Sequence, residues 1–251
     1  MWLHAAGWGL LSGAGLLVGA AISYFISLSH RVISSVMGFG GGVLLSVLAF
    51  ELMNEAAEHG SLISAIASFL VGALVFCTVN WFLSQHGAKN RKRCGGCVQQ
   101  PTEAEQKGSG VAIAAGALLD SIPESIVIGM SLISGGSVGI PAVVGFFLAN
   151  VPEGLSSASG MKQAGRSFVY IFGVWTSIVL LSGVGAVVGY TVFGQFPPEA
   201  AALVMAFAGG AILAMVAETM IPEAFEGAPS FIGLIATIGF LCAFALHKMS
   251  D

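Results

Sequence analysis

Long apolar runs recur along almost the whole chain, and they restrict its fold more than any other feature. A helix that crosses a bilayer needs about 20 predominantly apolar residues, and the 251 residues divide into eight segments of this kind. Charged residues make up 9% of the sequence, whereas soluble domains carry about 25%. The sequence therefore predicts an all-α polytopic membrane protein in which residues 1–251 form a single transmembrane domain.

Turn and charge signals set the limits of these segments. The eight predicted spans are residues 5–28, 32–57, 61–83, 110–133, 138–161, 167–193, 198–222 and 229–247. The connections are short except for residues 84–109, which are polar and which we expect to form a flexible loop. The first apolar run lacks the positive start and clear cleavage site of a signal peptide, so we interpret it as a span.

The distribution of Lys and Arg predicts the orientation in the membrane. Five of the nine lie in the 84–109 loop, Arg31 follows the first span, and Lys162 and Arg166 follow the fifth. With eight spans these connections share one side, and Lys and Arg accumulate in cytoplasmic loops. We therefore predict that the 84–109 loop is cytoplasmic and that both termini lie outside.

Two pairs of segments resemble each other and lie in spans that run in opposite directions. Residues 41–60 align without gaps with residues 209–228, and seven of the twenty pairs are identical. Residues 118–125 resemble residues 147–154 in the fourth and fifth spans. Inverted repeats related by an axis in the membrane plane are a transporter architecture with a substrate site near the midplane. The sequence therefore predicts an inverted repeat whose axis lies between these two spans.

The fourth and fifth spans carry acidic residues near their centres. Asp120 and Glu124 are four residues apart on one helical face, and Asn150 and Glu153 are three apart on the next span. A charge at the bilayer centre costs about 2.5–3.5 kcal/mol on insertion scales, and no Lys or Arg lies at comparable depth. We therefore predict that these oxygen atoms bind a cation.

The same spans contain Pro123 and Pro152, which cannot donate a backbone hydrogen bond to the carbonyls of Leu119 and Leu148. Such carbonyls are tolerated at membrane depth where protein, water or an ion satisfies them. Three alternatives stay open: protonated acids that serve packing alone, a proton relay, and an intramembrane enzyme. No HExxH motif supports the last of these, so we expect no enzymatic activity.

The motifs around these acids resemble those of the ZIP (Zrt-, Irt-like) family of divalent-metal transporters. The segments "DSIPES" and "NVPEG" are similar to the family's His-Asn-x-Pro-Glu-Gly motifs, and "NEAAE" and "IPEAFE" are similar to its Pro-Glu-Ala span endings. The eight spans, outward termini and long cytoplasmic loop are also similar. The resemblance implies uptake of zinc, or of manganese, iron or cobalt, into the cytoplasm, with no cofactor beyond the transported cation.

The resemblance also implies which side chains bind the metal. It carries ligand roles onto Asp120, Glu124, Asn150 and Glu153, and a weaker role onto Ser121. Ala149 stands where the family usually has histidine or glutamine, and the sixth span contains no carboxylate. Carboxylate and carbonyl oxygens suit hard cations. We therefore predict a single cation site that binds metal more weakly than the usual site of the family and prefers harder ions. These departures motivate the alternative of a transport-inactive metal sensor or regulatory membrane protein.

Further acids lie toward the two ends of the predicted path. Glu51 and Glu55 fall near the outer end of the second span, and Glu218 and Glu223 fall near the inner end of the seventh. Acids at opposite mouths raise the local cation concentration on each side. We therefore predict that these four residues line the pathway.

The 84–109 loop contains a weaker metal signal. His86, Cys94 and Cys97 include a CxxC spacing, but a closed zinc site normally has four protein ligands. The alternative is a loop whose basic residues only set the topology. The expected partners are divalent metal ions and the lipid bilayer, without nucleic acid, since no concentrated basic face is present; a homodimer is left open.

Overall fold

The fold is helical and is built around eight long helices. A computed structural model describes residues 1–88, 105, 109–133, 139–227 and 230–250, and no strand occurs within them. The long helices are α1 (Trp2–Phe25), α2 (His30–Val47), α4 (Leu62–Leu83), α5 (Ser109–Ser131), α6 (Ile140–Gln163), α7 (Phe168–Thr191), α8 (Pro198–Met215) and α10 (Ile232–Ser250).

Two of the long helices continue through a π-helical segment into a short helix. The segment Leu48–Leu52 joins α2 to α3 (Met53–His59), and the segment Val216–Met220 joins α8 to α9 (Ile221–Gly227). A third π-helical segment, Ser84–Ala88, extends α4, and a 3₁₀ turn at Phe193–Gln195 follows α7. The sequence analysis did not predict these irregular turns.

Within the described residues, seven helical stretches are long and apolar enough to cross a membrane. They are Trp2–Phe25, His30–His59, Leu62–His86, Val111–Ser131, Phe168–Gln195, Pro198–Gly227 and Ile232–Met249. Helix α6 is 24 residues long and carries Glu153 and Lys162, and it lies outside this set of seven. The predicted all-α, multi-pass membrane fold is therefore confirmed, and an eighth span through α6 stays a prediction.

The helices pack as two bundles. Helices α1, α5, α6 and α7 pack on one another, and α2, α4, α8 and α10 form the second bundle together with α3 and α9. Trp175 is fully buried in the core of the first bundle beside Leu16 and Ile171. The bundles meet chiefly where α2 lies against α6, and there Gly40 faces the ring of Pro152. Helices α5 and α6 continue through their prolines.

Small residues allow close approach of helix backbones within each bundle. A Cβ atom at Gly72 of α4 would overlap the carbonyl oxygen of Phe207 in α8, and one at Gly154 of α6 would overlap that of Leu16 in α1. The high glycine content of the chain, 35 residues, therefore has a packing role at these positions.

The helix limits repeat at a constant spacing. Adding 168 to the residue numbers converts His30–Val47 into Pro198–Met215, and it also converts Leu48–Leu52 into Val216–Met220. The same shift relates α3 to α9 and agrees with the gapless alignment of residues 41–60 with 209–228. This agreement supports the predicted repeat, since both copies place a π-helical turn at the same point.

We expect Gly72→Ala to destabilise the protein, because the new methyl group would overlap the carbonyl oxygen of Phe207. Overpacking of this kind costs about 1–3 kcal/mol. The matched control is Gly173→Ala, since a Cβ there meets nothing within 4 Å and Ala favours a helix over Gly by about 1 kcal/mol. Thermal denaturation in detergent should give a lower midpoint for the first variant only; equal midpoints would contradict the assigned α4–α8 contact.

Candidate metal site

The residues predicted to bind the metal are all buried in the structure. Asp120, Ser121 and Glu124 lie on α5, Asn150 and Glu153 lie on α6, and each exposes 4% of its surface or less. Burying an ionised carboxylate is costly unless its charge is compensated. Each of the three acids takes part in at least one hydrogen-bonding or electrostatic interaction, so their burial occurs in a polar setting inside the helices.

Local hydrogen bonds orient two of these side chains. The Ser121 hydroxyl donates to the carbonyl oxygen of Ala117 at 3.1 Å, which commits its proton to its own helix. The Asn150 amide donates from Nδ2 to the carbonyl oxygen of Ser12 on α1 at 3.2 Å. The Oδ1 atom of Asn150 therefore lies on the edge of the amide away from this bond and is the atom suited to a cation.

The two helices that carry these residues meet over a short stretch. Helix α1 packs along α6 and α7 packs along α5, whereas α5 and α6 make few contacts with each other. The sequence analysis expected these spans to lie against each other, and the structure brings them together over only part of their length. The physical reason is that α1 and α7 occupy the faces on which glycines permit the closest packing.

Glu223 lies closer to the centre than its sequence position indicated. It is 4% exposed, and the Ser156 hydroxyl of α6 donates to its Oε1. Ser156 follows Glu153 by three residues, so it lies on the same side of α6. The predicted inner-mouth residue is thus held against the helix that carries the candidate ligands, and its hydrogen bond joins the two bundles.

Glu51 and Glu218 each lie in a π-helical segment and accept a hydrogen bond from a distant helix. His247 Nδ1 on α10 lies 2.8 Å from Glu51 Oε1, and Asn80 Nδ2 on α4 donates to Glu218 Oε2 at 2.7 Å. A π-helical turn redirects side chains and is frequent at functional sites. Both carboxylates are therefore fixed by helices of the same bundle.

Sequence reasoning missed Asn80, Ser156 and His247 as partners of these acids. His247 is the last residue of the predicted span 229–247, yet its side chain is only 15% exposed and contacts Glu51. The available signal was a polar side chain within an otherwise apolar helix. The partner itself was not visible, because it lies more than 60 residues away in the sequence.

Helix α3 carries a cluster of side chains whose spacing could hold a metal ion. Glu55, Glu58 and His59 offer ligand atoms that all lie within 4.8 Å of one another, and His59 Nδ1 lies 3.7 Å from Glu55 Oε1. Glu55 is partly buried and the other two residues are exposed. Exposed groups of this kind also occur without an ion, so the cluster alone establishes no site.

The loop residues contribute little that the structure describes. His86 stacks against Phe82, with ring centroids 4.5 Å apart, and its Nδ1 lies 2.9 Å from the carbonyl oxygen of Phe82. Its contacts are therefore local to the end of α4. Cys94 and Cys97 lie outside the described residues, so the CxxC motif stays a prediction from sequence.

We expect Ser156→Ala to lower the stability of the protein, because it removes the hydroxyl that donates to buried Glu223. Losing the partner of a buried acceptor costs about 1–3 kcal/mol. Ser182→Ala is the matched control, since that hydroxyl is equally buried and donates only within its own helix, to Ile178. Thermal denaturation in detergent measures the midpoint of each variant. An equally large decrease in the midpoint of Ser182→Ala would argue against the hydrogen bond from Ser156 to Glu223.

Comparison with known proteins adds an independent finding. No protein-family model matches the chain. A protein of Arabidopsis thaliana that is provisionally named as a zinc transporter is 27% identical over 96% of this chain, which spans only 38% of that protein's length. The zinc transporter ZupT of Salmonella newport is 26% identical over 96% of this chain and 93% of its own length. ZupT of Salmonella heidelberg matches to the same extent.

These matches cover nearly every residue of the chain, including both motif-bearing helices. They confirm the resemblance to the ZIP family that the paired motifs indicated. The relatives are named as transporters, which are not enzymes, so they favour transport over the intramembrane hydrolase among the alternatives.

Proposed function

We propose that this homologue of zinc transporters carries a divalent metal cation into the cytoplasm through a site between α5 and α6. The observation that carries the proposal is the burial of Asp120, Glu124 and Glu153 in the middle of two neighbouring helices. In the described part of the chain, Arg31, Lys162, Arg166 and Lys248 lie near helix ends. A cation bound among these buried carboxylates would balance their charge.

Each central residue has a distinct role in this proposal. Glu124 and Glu153 supply the principal carboxylate ligands, one from each helix. Asp120 and the Oδ1 atom of Asn150 complete the set, and Ser121 is a weaker ligand because its proton is committed to Ala117. Dehydration of a divalent ion must be compensated by several negatively charged oxygen ligands, and the three acids supply them.

The choice of metal rests on two opposing arguments. The relatives are named as zinc transporters, which favours Zn²⁺. The proposed central ligands are all oxygen atoms. Ala149 stands where the family pattern has a ligand, and α7 lacks the carboxylate of that pattern. Oxygen ligands favour harder ions such as Mn²⁺. We propose Zn²⁺ as the first substrate, with Mn²⁺, Fe²⁺ and Co²⁺ as competitors.

The remaining acids mark the route to and from the centre. Glu55 with its neighbours, and Glu51 deeper along the same span, would collect cations outside. Glu223 and Glu218 would receive them on the inner side. Access would alternate by movement of the α1–α5–α6–α7 bundle against the other bundle, as an inverted repeat permits. The inward direction is the one that the resemblance to the ZIP family implies.

A metal sensor without transport is the second candidate. The absence of a histidine at Ala149 and of a carboxylate in α7 favours it, because an incomplete site can bind an ion without passing it on. The two candidates differ in one measurable property, since both bind metal and only one moves it.

We expect Glu124→Gln and Glu153→Gln each to lower zinc uptake into proteoliposomes by about tenfold or more, because each removes one charged ligand of the ion. Glu199→Gln is the matched control, since Glu199 is an exposed acid in the first turn of α8. Uptake that is unchanged in both central variants would eliminate the central site.

We expect zinc to raise the thermal midpoint of the detergent-solubilised protein, because a ligand that binds the folded state stabilises it. The rise should disappear in the Glu124→Gln/Glu153→Gln double variant and persist in Glu199→Gln. A midpoint that rises with zinc in a protein that shows no uptake of any of the four metals would favour the sensor over the transporter.

A further inference from the structure

Two cavities open at opposite ends of the helical assembly. The first, which we call the outer vestibule, has a volume of about 190 Å³ and is lined in part by Glu55, His59, Met130, Ile133 and Phe196. The second, the inner vestibule, has a volume of about 350 Å³ and is lined in part by Leu28, Ile33, Ser159, Lys162 and Gln163. The names follow the proposed orientation of the chain.

The repeat relates these two cavities to each other. Adding 168 converts Leu28 into Phe196 and Ile33 into Ala201, and Ala201 also lines the outer vestibule. The fourth and fifth spans align at a shift of 29 residues, since 118–125 matches 147–154.

Adding 29 converts Met130 into Ser159 and Ile133 into Lys162, and all four line their respective cavities. Residues from both repeats and from both central helices thus occupy matching places. The two vestibules are therefore equivalent positions of one architecture.

Their charges are opposite. The outer vestibule contains Glu55 and His59. The inner counterpart of Glu55 is Glu223, which is buried against Ser156 and is not among the residues that line the inner cavity. Lys162 is the charged side chain in the described lining of the inner vestibule.

Contacts with α1 hold the Lys162 ammonium group in place. Its Nζ donates to the carbonyl oxygen of Tyr24 at 2.6 Å and lies 4.9 Å from the centre of the Tyr24 ring. An exposed lysine normally samples many positions, whereas these two contacts keep this charge at the cavity wall. The residue is therefore more than a solvated charge at a helix end.

We propose that Lys162 lowers the apparent affinity for divalent cations on the cytoplasmic side by repelling them in the inner vestibule. The inference rests on the proposed function. A cleft with low-dielectric walls concentrates the field of a charge that lines it, and a divalent ion feels that field twice as strongly as a monovalent one. The carboxylate of Glu55 in the outer vestibule acts in the opposite sense, so the apparent affinity for cations is higher on the outer side than on the cytoplasmic side.

The competing explanation is that Lys162 only contributes to the positive-inside pattern. Arg166 provides the comparison, since it lies four residues further along the chain at the same end of α6. Its guanidinium carbon lies 5.2 Å from the centre of the Tyr170 ring, and Arg166 is not among the residues that line the inner vestibule. If only the general surface charge mattered, neutralising either residue would change the apparent zinc affinity equally.

The test measures zinc flux in each direction in phosphatidylcholine proteoliposomes, with orientation determined by cleavage of a C-terminal tag. We expect Lys162→Gln to lower the half-saturating zinc concentration on the cytoplasmic side by about threefold or more, without changing that on the outer side. Lys162→Arg should behave as the wild type, and Arg166→Gln should show no such decrease. The effect should shrink in about 0.5 M salt, where screening is stronger.

Equal shifts in Lys162→Gln and Arg166→Gln, or equal shifts on the two sides, would overturn the inference. So would an effect seen only in vesicles that contain phosphatidylserine, because Lys162 would then bind lipid headgroups. Absence of zinc flux in the wild type would overturn the proposed function itself, whereas normal wild-type flux with an unchanged Lys162→Gln variant overturns the role of Lys162 alone. The thermal midpoint of each variant checks its folding.

Discussion

The burial of carboxylates within apolar helices is the constraint on which the rest of the molecule depends. Asp120, Glu124, Glu153 and Glu223 are each almost fully enclosed by protein, although an ionised carboxylate is costly to remove from water. The helices around them must therefore supply polar groups, as Ser156 does for Glu223. A fold that needed only to span a bilayer would not carry this cost, so we place the proposed functional centre at these acids.

The two segments of the predicted repeat lie in different surroundings. Glu55 and Glu223 occupy matching positions in α3 and α9, yet the side chain of Glu55 is 33% exposed beside a cavity and Glu223 is buried against α6. The two ends of the assembly therefore differ in access to their acids although their helices match.

The positions of the helices could be read from the sequence within a few residues, because a 20-residue apolar run is a strong and local signal. The π-helical segments could not be read in this way, since one additional residue in a turn hardly alters an apolar pattern. These segments matter because they carry Glu51 and Glu218, whose partners His247 and Asn80 come from helices distant in the sequence.

The sequence by itself determined that the chain is a multi-pass helical membrane protein, that acids lie within two adjacent spans, and that its motifs resemble those of metal transporters. These properties depend on residue type and on short spacings along one helix. Only the tertiary structure decided that Glu223 contacts α6, that the helices form two bundles, and that Lys162 lines a cavity matching one lined by Glu55. Such contacts join residues far apart in the chain. They depend on which helix faces meet, and close packing at glycine residues decides that.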